Sequence, residues 1–486
     1  MLHKNHILTF LICCFFAQWG NAQTQTDLSL AKCIQLARNQ SPEAHMSELE
    51  YKAAYQDYLS FLADYKPQLS IGGDIPGLTR SISSIIQPDG SILFIPQSQM
   101  FSNIQLNVLQ RVPLTGGTVF ASSSLFNRLA LDNTSDIFWQ ATPIQIGLNQ
   151  PLFQFNSMKW DRNEQKLRYD LTKVNYVYQL EQLSAQVTQT YFEALIAKVN
   201  MEISSFNLES NDTIFTISKG RYSVGKIAEN ELLQSELTYM NARANFQQAK
   251  RAYNQSIQKL KTLLGIDASE DVILEIPEDI PSVQIDPQVA VTYAKQYSYL
   301  TQNFALERMQ SERSVKQAEK SNRFSANIGA TFGLNQTGAT LGEAYKQPFD
   351  QETFSINFNI PLLQWGKRQA VIEAAKIRRE RTETSIKQET LKFSNQVYYQ
   401  AVNLDEYRTQ LDLSSRADTI ARRRYEIARS RYLIGKIGIQ DLIIAQNEKD
   451  GARQSYLINL RQFWQAYADL RATTLYDFES ERPIEP

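Results

Sequence analysis

Residues 221–234 read RYSVGKIAENELLQ and residues 431–444 read RYLIGKIGIQDLII, identical at six of fourteen positions across an offset of 210. The agreement extends outward from this pair. The same offset lays Pro151-Leu152-Phe153-Gln154-Phe155 on Pro361-Leu362-Leu363-Gln364-Trp365. An offset of 257 lays Ala37-Arg38-Asn39-Gln40-Ser41 on Ala294-Lys295-Gln296-Tyr297-Ser298, and Leu69-Ser70-Ile71-Gly72 on Ala326-Asn327-Ile328-Gly329. Internal similarity held over such distances marks a tandem duplication, with copies at residues 23–270 and 271–486. The change of offset from 257 to 210 puts an insertion of 47 residues into the first copy, between Gly73 and Pro151. That is about one hairpin's worth of chain.

Hydrophobic period switches within each copy. Phe354, Ile356, Phe358 and Ile360 alternate with Ser355, Asn357 and Asn359, while Ala326, Ile328, Ala330, Phe332 and Leu334 alternate with Asn327, Gly329, Thr331 and Gly333. Ile144, Ile146 and Leu148 alternate with Gln145, Gly147 and Asn149. Period two predicts strands with one apolar face, at about 67–152 and 323–362. Their polar faces carry Ser, Asn, Gln, Thr and Gly but no charge, a pattern suited to a wall with lipid on one side and water on the other. A half-buried sheet in a water-soluble protein is the competing reading.

The rest of each copy is helical in character. Ser157 to Tyr222 contains no Pro, and no Gly before Gly220; Lys367 to Tyr432 is likewise free of Pro. Each stretch predicts a helix of roughly 100 Å. Shorter helices are expected at 229–264 and 440–475, so the long-helix regions run over about 157–264 and 367–475. Others are expected at 28–65 and 287–321. Stacking of 440–475 on 28–65, and of 229–264 on 287–321, would match the long helices in length. Apolar residues at three- and four-residue steps (Leu167, Leu171, Val174, Tyr178; Leu404, Tyr407, Leu411) predict packed helical hairpins.

Composition excludes several function classes. Fifty Lys and Arg balance 51 Asp and Glu in 486 residues, which argues against a nucleic-acid binder. Three histidines, two of them His3 and His6, leave only His45 for a triad or a multi-histidine metal site. No Gly-rich phosphate loop or metal-ligand motif appears, so no enzyme, cofactor or metal is expected. Residues 1–22 combine Lys4, an apolar run from Ile7 to Ala17 and the small residues Gly20-Asn21-Ala22, the pattern of a secretory signal peptide. Cys33 would then be the only cysteine of the exported chain, so no intramolecular disulfide is expected.

The duplicated helix–strand–helix plan, the RYxxGK turns with their following acidic residue and Leu (Glu231-Leu232, Asp441-Leu442), and the PLxQ motif at 151–154 and 361–364 resemble the TolC-like outer membrane efflux proteins. These are the outer membrane factors of tripartite efflux and type I secretion systems in Gram-negative bacteria. The resemblance covers essentially the whole mature chain. It implies a mainly α fold with β-barrel strands, in which tandem-duplicated long helical hairpins form a trimeric α-helical tunnel and share a transmembrane β-barrel. It further implies a homotrimer in the outer membrane, in contact with its lipid and extending into the periplasm. There it would serve as a passive exit duct, opened at its helical tips by a periplasmic adaptor and an inner-membrane transporter.

The resemblance also implies a gate. Asp441 matches a position that forms a ring of aspartates in the family; Tyr432 and Glu231 match latch positions, and Tyr222 is the first-copy counterpart of Tyr432. Where a second ring aspartate is expected, this chain has Ile444, and the latch arginine appears as Ile437. A more apolar gate follows. An independent reading makes Asp441 and Glu231 first-turn carboxylates complementing helix dipoles. Gly225, Gly435 and Gly438 are expected as turn glycines. The basic run Arg416, Arg422, Arg423, Arg424, Arg429 and Arg431 approaches the same tip as Lys436. It reads as a solvated helix face relieved by Asp418 and Glu426, or as an adaptor-docking surface in which Arg424, Arg431, Lys226 and Lys436 take part. Trp139, Trp160 and Trp365 read as membrane-interface anchors or as helix–strand packing residues.

Two matters stay open in the sequence. The insertion is either two extra barrel strands or an extracellular loop. The competing function is a non-conducting helical protein of the periplasm or cell surface, structural or adhesive, which would need neither barrel nor detergent.

Overall fold

The structure, a computed structural model, describes residues 26–131, 136–321 and 323–485. The expected signal peptide lies outside them. In chain order the elements are β1 (Thr26–Leu28), α1 (Leu30–Gln40), α2 (Pro42–Ala63), β2 (Gln68–Ile86), β3 (Ile92–Val112), β4 (Gly117–Ala130), β5 (Ile137–Leu152), α3 (Ser157–Ser223) and α4 (Glu229–Leu264). The second copy supplies β6 (Val272–Leu274), α5 (Pro287–Tyr297), α6 (Tyr299–Ser321), β7 (Ser325–Gly338), β8 (Phe349–Asn359), α7 (Lys367–Leu433), α8 (Ile439–Thr474), β9 (Tyr476–Asp477) and β10 (Arg482–Pro483). Both long helices have 67 residues, and both following helices have 36. No described helix is long and apolar enough to cross a membrane.

The helical stretches expected at 28–65 and 287–321 are each broken once, and the break is itself duplicated. Ser41 and Ser298 are extended and buried. The Ala44 N–H donates to Ser41 Oγ at 3.1 Å and the Thr301 N–H to Ser298 Oγ at 3.3 Å. Each serine ends one helix and caps the next. At Ser41 the following Pro42 also disfavours helical backbone in the residue before it.

The chain divides into two compact units. One comprises the described residues among 26–51, 173–302 and 389–485. Its core is lined by Val187, Tyr191, Phe192, Leu195, Leu260, Leu264, Leu460, Phe463 and Leu470. The parallel pair β1–β6 crosses this core and ends on the fully buried Tyr191. The Tyr191 hydroxyl donates to the carbonyls of Leu28 (3.0 Å) and Glu275 (2.5 Å). Glu181 is buried between Arg38 and Arg471, and Arg471 reaches Asp477 at 3.0 Å.

The stacking expected for the short helices is corrected here. Gln40 Nε2 donates to the Leu264 carbonyl at 3.4 Å, so α4 ends against the α1–α2 junction. Tyr476, just past α8, stacks on Tyr293 (3.9 Å between centroids) and Tyr297 (6.1 Å) of α5. Each copy therefore pairs its own short helices. In the first copy the cause is local: β1–β6 ties the start of α1 to the segment that follows α4.

The second unit comprises residues 52–172 and 303–388. It contains one antiparallel sheet in the order β2-β3-β4-β5-β7-β8. The insertion is thus two extra strands in the sheet, and the loop reading falls. Register aligns the apolar positions of all six strands on one face: Ile71 with Leu106, Val108 with Ala121, Ile146 with Phe332, and Ile328 with Ile356. Ile71 and Phe354 are 73% and 70% exposed. The opposite face carries Ser70 with Asn107, Ser122 with Gln145, and Gly329 with Ser355. Beyond the last β3–β4 rung, the β2–β3 ladder runs on from Arg80↔Ser98 to Ile86↔Ile92.

Polar contacts tie the sheet to the helix ends within this unit. Asn156 Nδ2 donates to the Pro113 carbonyl at 2.8 Å and Gln150 Nε2 to the Thr115 carbonyl at 3.0 Å, holding the β3–β4 turn where Gly116 takes φ 78°. Glu164 accepts from Gln310 (2.8 Å), Arg313 (2.7 Å) and Arg168 (3.1 Å). Burial opposes its ionisation, but these donors outweigh it and hold the carboxyl below the usual range.

Candidate gate at the helical tips

The α3–α4 and α7–α8 turns are built alike. Gly225 takes φ 68° and Gly435 φ 74°, conformations that L side chains avoid. The Gly225 N–H donates to the Tyr222 carbonyl and the Lys226 N–H to the Arg221 carbonyl, both at 2.9 Å. Gly435 and Lys436 repeat these bonds to Tyr432 and Arg431 at the same distance. This is the Schellman closure of a helix C-terminus. It explains the glycine of each RYxxGK repeat, which must reverse the chain so that the backbone N–H of the next residue can reach back. Gly438 differs from the other two. It is extended (φ −77°) at the N-cap of α8, where the first copy has Ala228 in the same conformation.

The two tips pack through tyrosines. Tyr432 is buried; its hydroxyl meets Ser218 Oγ at 3.4 Å, and the Arg221 guanidinium lies over its ring, 5.3 Å from the centroid. Arg221 also donates to the Tyr432 and Leu433 carbonyls at 3.4 Å. Two turns higher the Tyr425 hydroxyl meets Ser210 Oγ at 3.4 Å, and Lys449 sits 4.4 Å from the Tyr425 centroid. Ile214, Tyr425, Tyr432, Ile439 and Leu442 form an apolar cluster against which Ile437 and Ile443 pack. Ile437 is thus part of that cluster.

Other candidates are not drawn together. Glu231 and Asp441 lie exposed in the first turns of α4 and α8, a placement also favourable to the helix dipoles. Tyr222 and Ile444 are each 42% exposed. Lys226, Arg431 and Lys436 are exposed. Arg424 is paired with Glu448. Asp418, buried, takes Arg422 and Arg453 at 3.1 Å each, and Arg423 reaches Glu426 at 3.6 Å. Much of the basic run is therefore neutralised within the chain. Trp365 stands exposed beside Leu362 and Leu363, whereas Trp160 stacks on Phe155. Among the described residues no group of three His, Cys, Asp or Glu could hold a metal.

Sequence reasoning did not single out Arg221, which spans the two tips. Its signal was present in the duplicated Arg-Tyr pair. It also missed an exposed apolar stripe on α7 at seven-residue steps, Leu413, Ile420 and Ile427, continuing to Ile434 in the turn. A companion stripe on α4, Leu233, Leu237 and Met240, is exposed too. Seven-residue spacing is the geometry of a helix–helix seam, and in this chain both seams lack a partner surface.

The sequence profile of the outer membrane efflux protein family matches residues 95–266 and 298–474. The alkaline protease secretion protein AprF of Pseudomonas aeruginosa is 24% identical over 331 residues, covering 64% of this chain and 66% of that protein. The Campylobacter jejuni CmeC outer membrane channel has a similar fold, with a TM-score of 0.66, 16% identity, and coverage of 94% of this chain and 87% of that one. The outer membrane protein VceC of Vibrio cholerae gives a TM-score of 0.65 at 12% identity, covering 94% and 97%.

Proposed function

The chain belongs to the outer membrane efflux protein family, and on that premise we propose that three copies assemble into a passive exit duct whose periplasmic end is closed by the helical tips. It is an outer-membrane channel protein and not an enzyme. The observation that carries the trimer is the pair of uncovered stripes. Leu413, Ile420 and Ile427 on α7, and Leu233, Leu237 and Met240 on α4, leave apolar surface in water in a lone chain. A neighbouring copy covers both at once, because the stripes lie on two different helices and so suit a ring.

In that ring three Asp441 carboxylates face a common axis, with Ile444 one turn further along α8. Converging carboxylates favour cations and repel one another, which makes closure sensitive to protonation and to bound cations. The apolar Ile444 narrows the passage without adding charge. The Arg221–Tyr432 contact holds the two hairpins of one chain together. Lys226, Arg431 and Lys436, exposed at the tips, form the surface for a periplasmic adaptor, which with an inner-membrane transporter opens the duct. The relative named for alkaline protease secretion supports a polypeptide cargo of the type I kind; an efflux cargo uses the same passage.

The test is single-channel conductance of the purified trimer in a planar bilayer, beside Asp441→Ala. The wild type gives a small cation-selective conductance, and the variant loses selectivity and conducts more. Unchanged selectivity would move the constriction to Ile444. Absence of conductance from a protein that needs no detergent would overturn the duct in favour of a structural fibre.

A further inference from the structure

We propose that the barrel wall has eighteen strands, six from each chain, closed by antiparallel pairing of β8 of one copy with β2 of the next. The proposal rests on the trimer inferred above and deepens it. The sheet has two free edges, β2 and β8. In hydrocarbon an open edge leaves its N–H and C=O groups unbonded, so a membrane wall must close. Six strands fall short of the roughly eight needed to close alone. The partner is another copy.

Direction, face and stagger all suit this closure. In a meander of six antiparallel strands the first and last run oppositely, so β8 meets a neighbour's β2 antiparallel, like every other pair in the sheet. The apolar face continues across the join, with Phe354, Ile356 and Phe358 on β8 and Leu69 and Ile71 on β2. Followed rung by rung, Gln68 lies level with Leu109, Phe120, Gly147, Thr331 and finally Thr353. Thr353 is six residues short of the lower end of β8 at Asn359. Six residues of about 3.3 Å against five interstrand steps of about 4.8 Å tilt the strands by about 40° from the normal to the rim, the tilt that closed barrels require.

The two strands of the insertion belong to this wall. Ile104, Leu106 and Val108 on β3, and Ala121 and Leu125 on β4, lie on the apolar face; Asn103, Gln105, Asn107, Ser122 and Ser124 line the other. At a tilt of about 40°, eighteen strands enclose a backbone diameter of about 36 Å, against about 24 Å for twelve. A helical polypeptide is about 10–12 Å across. The outer mouth is then a wide aqueous pore for polypeptide-sized cargo.

Disulfide trapping in outer membranes tests the seam. Cysteine is placed at Ser355 or Asn357 on β8 together with Ser70 or Gly72 on β2, four double variants that span three registers. A second set combines the same β8 positions with Thr118 or Ser122 on β4, the strand that β8 would meet if β2 and β3 lay outside the wall. Cys33 does not interfere: it is fully buried, and burial pushes its thiol up to about 12 despite the nearby Lys32. After oxidation with copper–phenanthroline, at least one β8–β2 variant runs as covalent trimer on a denaturing gel and no β8–β4 variant does. Linkage through β4 would overturn the eighteen-strand wall and leave a twelve-strand trimer. A trimer by native mass that links through neither pair would overturn edge-to-edge closure. Covalent β8–β2 dimers with a dimeric native mass would instead sink the trimer reading itself, and the count with it.

Discussion

The two copies agree where they are helical and disagree where they are strand. Their long helices have 67 residues each and their return helices 36 each, but the first copy has four strands in the sheet where the second has two. The difference teaches which part is constrained by length. Helical tips can meet, Arg221 over Tyr432, only if both hairpins are equally long; one missing residue would turn a face by about 100°. A sheet has no such common end point, and it accepts a hairpin wherever two rungs can part and re-form.

The contrast can be attacked most strongly at the helical stripe. Ile420→Asp with Ile427→Asp puts two charges into the proposed seam, and native mass spectrometry should find monomer in place of trimer, while circular dichroism keeps its helical signal. A large but local loss is expected from Leu460→Ala in the fully buried core: about 2–5 kcal/mol by chemical unfolding. The turns should then separate the two kinds of glycine. Gly435→Ala, at a positive φ, should cost about 1 kcal/mol, whereas Gly438→Ala should change stability by less than about 0.5 kcal/mol, since Ala228 already serves at the equivalent cap. Hydrogen exchange at the tip reads both.

The smallest effect concerns pH. Glu164 has its carboxyl held down by its donors, so its stabilisation is present above the unfolded carboxylate value near 4.3 and is lost as pH falls through the lower folded value. Thermal melts of wild type should therefore drop more steeply than those of Glu164→Gln between about pH 5 and pH 3. Equal slopes would remove Glu164 from the acid response.

Much of the fold was legible in the sequence, and for definite reasons. Long Pro-free runs gave the helices, period-two alternation gave the strands, and the doubled RYxxGK gave the turns. The residues Leu404 and Leu411, read as packing positions, are indeed buried. Three things were not legible. Which short helix stacks on which depends on the three-residue β1–β6 pair, too short for a periodic signal. The insertion's place in the sheet depends on hydrogen-bonded register, which composition does not encode. Leu413, Ile420 and Ile427 were hidden because a seven-step apolar row looks the same whether it faces a core or a neighbour; only exposure distinguishes them. Of the proposed gate, Asp441 and Tyr432 are named by resemblance alone, whereas the Arg221–Tyr432 contact needed the side-chain geometry.

The four strands between α2 and α3 carry an evolutionary consequence. Both helices adjoin the same rim of the sheet, as the contacts of Tyr65 with Gln110 and of Asn156 with Pro113 require. A chain that leaves a rim and must come back to it can cross the wall only an even number of times. An insertion of one strand would deliver α3 to the far side of the bilayer, and selection would remove it at once. Lineages of this protein can therefore change the number of strands in the sheet only in whole hairpins, in discrete steps.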